Sequence, residues 1–318
     1  MEMKNLLLFR GDSFDANFCR NSQMDVDNSF YLRTGGREIL LVPKLNERAA
    51  RETFRGKVIA YSKPMEEIAR LVKGSTLSLD YSSLPAKMYV RLAKIAKAQD
   101  VSEELLKARA KKTPQEVEKM KRAASATRKI LSEFQSENFR GESDAADWLL
   151  MRTLEMGLKP AFDPIVGSGR HSAFPHYKPA HAKMGSFALV DYGVRFENYC
   201  SDLTRVLFRK KEKKVQDAYE KSQLIFHEII DEMPDFRTGA DLALFSENRF
   251  VKYGLPKPIH SIGHGVGLDI HEFPRLNKKY SDPLKGTVIA IEPAAYFRNF
   301  GVRYEETVYF DGNKARVL

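Results

Sequence analysis

The chain has little with which to build a disulfide or thiolate framework: two cysteines in 318 residues, Cys19 and Cys200, far apart and in no CxxC pair. That scarcity argues against a disulfide scaffold and against a cysteine-ligated zinc site, and both thiols are expected to be buried packing residues. Long hydrophobic runs are missing as well. The N-terminus MEMKNLLLFRGDSF carries only a short apolar stretch closed by Arg10, too brief for a secretory signal, and no window resembles a membrane span. A cytoplasmic protein with no membrane partner is the expectation. Low-complexity segments and short-period repeats are also lacking.

Acidic excess is absent too, since the formal net charge is +10. A basic chain invites a nucleic-acid partner, but the basic clusters at Lys111-Lys112, Arg209 to Lys214 and Lys278-Lys279 have no interleaved aromatics. They read as solvated surface, and no nucleic acid is expected. Hydrophobic residues at 43% and charged residues at 30% are ordinary for a globular chain, and the length suits two domains.

Residues 1–110 mix short apolar runs (EILLVP, KVIAYS, STLSLD) with helical patterns near 64–73 and 86–98, which predicts a small α/β domain. A basic run then precedes Thr113-Pro114-Gln115-Glu116, the signature of a capping box with proline at the first helical position. Val117, Met120, Ala124, Thr127, Leu131 and Phe134 follow at helical spacing, so the basic run reads as an inter-domain linker and the second domain as 111–318. Another amphipathic helix is expected over about 213–231, with His227 on its surface.

Two stretches of this second domain share a design. In SFALVDYGVRFENYCSDLTRVLF (186–208), a turn near Phe196-Glu197 would set Asp191 directly opposite Asp202. Opposed carboxylates repel unless a proton or a cation lies between them. With the turn placed elsewhere, both aspartates would face solvent, and this hairpin alone does not decide. In TVIAIEPAAYFRNFGVRYEETVYF (287–310), a turn at Arg298-Asn299 sets Glu292 against Glu305, with Arg303 and Thr307 on the face of Glu305.

Four carboxylates in one confined site need about as many positive charges, which two divalent cations supply. Three of the seven histidines fall in HSIGHGVGLDIH (260–271), where Gly263, Gly265 and Gly267 permit close backbone approach. An oxygen-rich shell with one or two imidazoles suits manganese, iron, cobalt or zinc. Paired metals of this kind activate water and polarise a carbonyl, which points to hydrolysis of an amide or ester. The HExxH zinc pattern fails, because HEFPR and HEIID both lack the second histidine.

These residues resemble the pita-bread metallopeptidases, the family of methionine aminopeptidase, aminopeptidase P and prolidase. The resemblance runs from about 110 to 310 and rests on DYG, SDLTR, GHGVGLDIHE, IEP and GVRYEET, in order. It implies an α+β chain, with a small creatinase-like N-terminal domain (1–110) ahead of a curved antiparallel sheet wrapped by helices in two related halves. It further implies Asp191 as chelating ligand of one metal, His264 and Glu292 as ligands of the other, and Asp202 and Glu305 as bridges. Two divalent ions per chain follow, manganese first among them, with cobalt, iron or zinc as alternatives.

A histidine four residues before the metal-binding one, here His260, resembles the Xaa-Pro enzymes, as does the N-terminal domain. In IVGSGRHSAFPHYKP, His176 fits the family's further active-site histidine better than His171. His271 matches the imidazole that assists proton transfer or holds substrate, and Glu292 would take up and return a proton. The last motif has Tyr304 and Glu306 where isoleucine and aspartate are usual, which touches specificity and leaves the ligands intact. The implied activity is hydrolysis of Xaa-Pro peptides by a homodimer, as a prolidase or, alternatively, as aminopeptidase P on longer peptides. Arg275 is the candidate receptor for a dipeptide carboxylate, with His260 and Arg303 as further substrate contacts. A non-catalytic binding module is the remaining alternative, disfavoured because all five ligand positions are filled.

Overall fold

In the computed structural model, which describes residues 5–318, the chain divides into two compact units, Met1–Ala108 and Arg109–Leu318. The first is built on a six-stranded mixed sheet. Leu6–Arg10 lies near its middle, antiparallel to Ser29–Thr34 on one side and parallel to Leu77–Leu79 on the other. Successive side chains alternate between faces. Leu6, Leu8, Tyr31 and Leu40 therefore pack with Phe18 and Leu105, whereas Leu7, Leu32, Ile39 and Leu41 pack with Ile68, Val72 and Leu92. Two buried faces make a three-layer α/β unit.

The basic run ahead of Thr113 is not a solvated linker, contrary to the sequence reading. Helix Ser102–Ala110 extends through its first part, and Arg109 and Lys112 are buried. Lys112, assigned to the surface from sequence, has its ammonium 3.1 Å from the Glu272 carboxylate. Burial of a lysine is tolerated only when its donors are met, and here they are.

The second unit opens with helix Pro114–Gln135, capped as the sequence requires. The Glu116 N–H donates to Thr113 Oγ1 at 3.2 Å and the Thr113 N–H to Glu116 Oε2 at 2.6 Å. Helix Glu142–Glu155 follows, then strands Ile165–Ser168, Phe187–Tyr192 and Leu203–Phe208 in one antiparallel sheet. The pattern then recurs. Helices Lys213–Glu232 and Gly239–Lys252 precede a five-stranded sheet holding Gly263–Gly265, Glu272–Arg275, Thr287–Ile291, Glu306–Phe310 and Ala315–Val317. Phe226, Ile229, Leu242 and Phe250 of the second helix pair seal this sheet through Ile289, Ile291, Val308 and Phe310.

Both carboxylate hairpins are present, with one change of register. The first turns at Glu197-Asn198, both at positive φ (47° and 70°), as a two-residue hairpin connection demands. That is one residue later than the sequence suggested, and it moves the pairing by two. Asp191 stands opposite Thr204 instead of Asp202. A shift of two preserves the face, because the side-chain period is two, so both aspartates still point the same way. In the second hairpin Ile291 pairs Glu306 and Ala294 pairs Arg303, a single register that puts Glu292 opposite Glu305.

Each ladder is broken where its carboxylates sit. In the first hairpin Gly193 occupies the break, and a Cβ there would lie 1.9 Å from the Ser201 carbonyl oxygen. Gly193→Ala is therefore expected to destabilise the chain by about 1–3 kcal/mol, the usual range for forced overpacking. Urea unfolding measures it; an unchanged or raised midpoint would show that the strands have room to separate.

Candidate metal centre

Asp191 is the penultimate residue of strand Phe187–Tyr192, every residue of which is buried. Asp202 immediately precedes Leu203–Phe208, Glu292 follows Thr287–Ile291, and Glu305 precedes Glu306–Phe310. The breaks in the two ladders thus deliver four carboxylates from strand ends that rigid sheets hold in place. The two sheets are joined at this point. The Glu305 N–H donates to the Thr204 carbonyl at 3.2 Å, the Asp202 N–H donates to Thr307 Oγ1 at 3.0 Å, and Thr307 Oγ1 donates back to the Asp202 carbonyl at 3.0 Å.

His264 enters from strand Gly263–Gly265. Its Nδ1 lies 3.0 Å from the Gly265 carbonyl, an oxygen that can only accept, so Nδ1 donates there. Nε2 points toward Asp202 Oδ2 at 3.4 Å. Ligand atoms of Asp202, His264 and Glu305 all lie within 4.8 Å of one another.

Arg303 is the cation among these acids. Its guanidinium is 3% exposed and pairs with Asp191, while Nε reaches Thr204 Oγ1 at 2.9 Å and Nη1 reaches Tyr296 Oη at 3.1 Å. Glu292 and Glu305 lie 3.8 and 4.0 Å from it. One positive charge does not balance four carboxylates. Desolvation first, then the neighbouring carboxylates, push Asp202 and Glu305 well above the ordinary carboxylate range. Asp191 is raised by burial and partly pulled back by Arg303. Oδ1 of Asp191 and Oδ1 of Asp202 are buried with no hydrogen-bond partner. Orphaned carboxylate oxygens, an imidazole nitrogen aimed at them and more acids than the one guanidinium can balance fit divalent cations.

Asp191, Asp202, His264, Glu292 and Glu305 line one cavity of about 440 Å³, together with His176, His271 and Arg303. The ring centroids of His264 and His271 are 4.2 Å apart. Although His271 has an exposed edge, desolvation against the wall and the nearby His264 pull its pKa down to about 4, so it is neutral at neutral pH. His171 is turned away from the cavity onto Glu142, its Nδ1 at 2.9 Å from Oε1 and stacked on Tyr177. Glu142 also accepts from the Tyr177 hydroxyl at 2.8 Å and the Ser168 N–H at 2.7 Å. This knot anchors the loop that presents His176.

Of the three expected substrate contacts, Arg303 lines the cavity and Arg275 and His260 do not. Arg275 is not among the residues lining the cavity; its Nε and Nη2 hold the two oxygens of Asp282 at 2.8 and 3.0 Å and it stacks on Tyr280. A guanidinium fork filled by one carboxylate has no matching pair of donors left for another. His260 is also off the lining, with Nδ1 at 2.7 Å from the Ser261 carbonyl and Nε2 at 3.1 Å from Tyr296 Oη. Arg303 does line the cavity, but its donors go to Asp191, Thr204 and Tyr296 instead of outward.

Sequence reasoning missed Lys178, Phe162, Ile165 and Ile270, which also line the cavity. Lys178 stands two residues past His176 in PHYKP, and that proximity was the available signal. The partners Thr204 and Tyr296 were visible only through strand alternation, two residues from Asp202 and four from Glu292.

Residues 118–311 match the model of metallopeptidase family M24. The chain belongs to that family. The Xaa-Pro dipeptidase of Pyrococcus furiosus is 31% identical over 299 residues, spanning 89% of this chain and 85% of that protein. Among solved structures, the prolidase from Pyrococcus horikoshii OT3 superposes with a TM-score of 0.87 at 27% identity, covering 99% of this chain and 93% of its own. The X-Pro aminopeptidase from Thermotoga maritima MSB8 superposes with a TM-score of 0.90 at 22% identity over 100% and 95%, a likeness of fold. This M24 chain is a metal-dependent hydrolase with the expected N-terminal domain and pita-bread fold.

Removing the guanidinium that lies among these acids should expose the repulsion it offsets. Arg303→Met is expected to cost the metal-free protein about 3–5 kcal/mol, the usual penalty for stripping one partner from a buried ion pair. Added Mn²⁺ should recover part of that loss. Urea unfolding with and without Mn²⁺ checks both statements, and equal midpoints for wild type and variant would contradict them.

Proposed function

We propose that this chain is an Xaa-Pro dipeptidase. The observation that carries the reading is the convergence of Asp191, Asp202, His264, Glu292 and Glu305 with His176 and His271 on one cavity. The names borne by its Pyrococcus relatives support the substrate class. Asp191 would hold one divalent ion, His264 and Glu292 the second, and Asp202 and Glu305 both. When bound, such a pair, manganese first among the candidates, supplies Lewis acidity that activates water and polarises the scissile carbonyl.

The protein's own groups do the rest. Glu292, with Oε2 3.8 Å from Arg303 Nη1 and 3.8 Å from His260 Nδ1, takes the proton released by the attacking water and returns it to the proline nitrogen. Without that proton the proline would have to leave as an amide anion; with it, the ring leaves as a neutral amine. His176 and the neutral His271 offer hydrogen bonds to the scissile carbonyl and the peptide terminus. Phe162, Ile165 and Ile270 form an apolar wall suited to a prolyl ring and to keeping bulk water out. Arg303 holds the Asp191 carboxylate in place. Cys200, its thiol pushed up to about 12 by burial, is a packing residue.

Chelation tests the metal requirement directly. Hydrolysis of Xaa-Pro should vanish in the metal-free protein and return with Mn²⁺ or Co²⁺; undiminished activity without metal would end the reading.

Lys178 is the basic residue of the lining that can meet a dipeptide's free carboxylate, in place of Arg275. Lys178→Ala is expected to lower kcat/KM for Xaa-Pro by a factor equivalent to about 1.5–3 kcal/mol, the worth of a hydrogen bond to a charged group. Xaa-Pro-Yaa, with its carboxylate further along, should change little. If wild type prefers the tripeptide and both substrates fall together in the variant, aminopeptidase P is the better description.

A further inference from the structure

Below the loop that carries His271 lies a second group of buried charges, separate from the cavity lining. Strands Gly263–Gly265 and Glu272–Arg275 pair with a register shift between His264 and Gly265, and the loop they enclose sets the His264 and His271 rings against each other. The Glu272 side chain is 1% exposed, as is that of Lys112, and Arg109 is 4% exposed. Lys112 Nζ reaches Glu272 Oε2 at 3.1 Å and donates to the Arg109 carbonyl at 2.7 Å. Arg109 Nη2 holds Asp269 at 2.8 Å, and the Asp269 N–H donates to Glu272 Oε1 at 3.0 Å. Two acids and two bases balance.

Gly267 makes room for this arrangement. A Cβ there would fall 2.4 Å from Glu272 Oε2, so the loop backbone rests directly on the carboxylate. Buried ion pairs seldom stabilise more than apolar side chains of the same volume, because desolvation offsets their attraction. What such a pair does fix is direction: its hydrogen bonds allow one loop geometry. We propose that Glu272, clamped by Arg109 and Lys112, is a positioning residue that fixes the His264–His271 loop in the geometry needed to bind metal. The inference rests on the metal site proposed above and is independent of the substrate.

Titrating metal-free protein with Co²⁺, followed by its visible absorption, reads the effect without an activity assay. Glu272→Gln keeps the shape and removes the charge, and it is expected to weaken Co²⁺ binding about 10- to 100-fold, the range typical of residues that orient metal ligands. Gly267→Ala displaces the same carboxylate by contact and should act in the same direction; it decides the matter if Glu272→Gln does not fold. The core variant Ile130→Val, buried on helix Pro114–Gln135 and outside the group of charges around Glu272, should lower stability and leave Co²⁺ binding intact. Binding within about two-fold of wild type in both loop variants would overturn the proposal. So would an equal loss in Ile130→Val, or a wild type that binds no Co²⁺. A wild type that binds Co²⁺ but leaves Xaa-Pro peptides uncut would reject the substrate reading and leave the positioning role to be decided by the titration alone.

Discussion

Three buried carboxylates and the half-buried Glu292 share one buried guanidinium, and most of the catalytic unit follows from that imbalance. Arg303 offsets part of the repulsion and fixes the direction of Asp191 through a chain that runs on to Thr204 and Tyr296. Oδ1 of Asp191 and Oδ1 of Asp202 are left without a hydrogen-bond partner, and burial denies them water. A fold carrying such a deficit is completed by cations. Metal dependence in this M24 chain is thus the other half of an electrostatic arrangement that the polypeptide leaves unfinished.

The deficit is sustained by rigid surroundings. Two antiparallel ladders, each broken at its carboxylates, meet through the Thr204–Glu305 and Asp202–Thr307 backbone bonds. Around them the two loops that bring histidines to the cavity are built alike. Glu142 gathers Ser168, His171 and Tyr177 beneath the loop of His176, and Glu272 gathers Asp269, Arg109 and Lys112 beneath the loop of His271. In each case a buried carboxylate satisfies loop donors that no strand could pair.

Much of this was legible in the sequence because it depends on local rules. The capping box at Thr113 and the helices at 64, 86 and 213 follow from spacing and end signals, as do the turn at Arg298-Asn299 and the carboxylate-bearing strands. The first hairpin was misplaced because Glu197 and Asn198 adopt a left-handed turn with no glycine to mark it. The fates of Lys112, Arg275 and His260 were hidden for another reason. Each is decided by a partner that the chain's spacing does not reveal: Glu272 lies 160 residues from Lys112, Asp282 crosses from a neighbouring loop to Arg275, and Tyr296 lies on the far hairpin from His260. A charged side chain announces its charge in sequence but not its company.

The spread of the ligand set along the chain has a consequence for how the protein comes into being. The Thr204 hydroxyl that meets Glu305 lies 101 residues earlier, and the last ligand precedes only the two closing strands, Glu306–Phe310 and Ala315–Val317. Contacts of such high sequence separation form late, after local helices and hairpins. A chain still on the ribosome holds half of its carboxylates and none of the partner strand that aligns them. Hydrolytic competence therefore waits until the strand that follows Glu305 has been made, and fragments that stop short of it carry no working peptidase into the pool of nascent proteins around them.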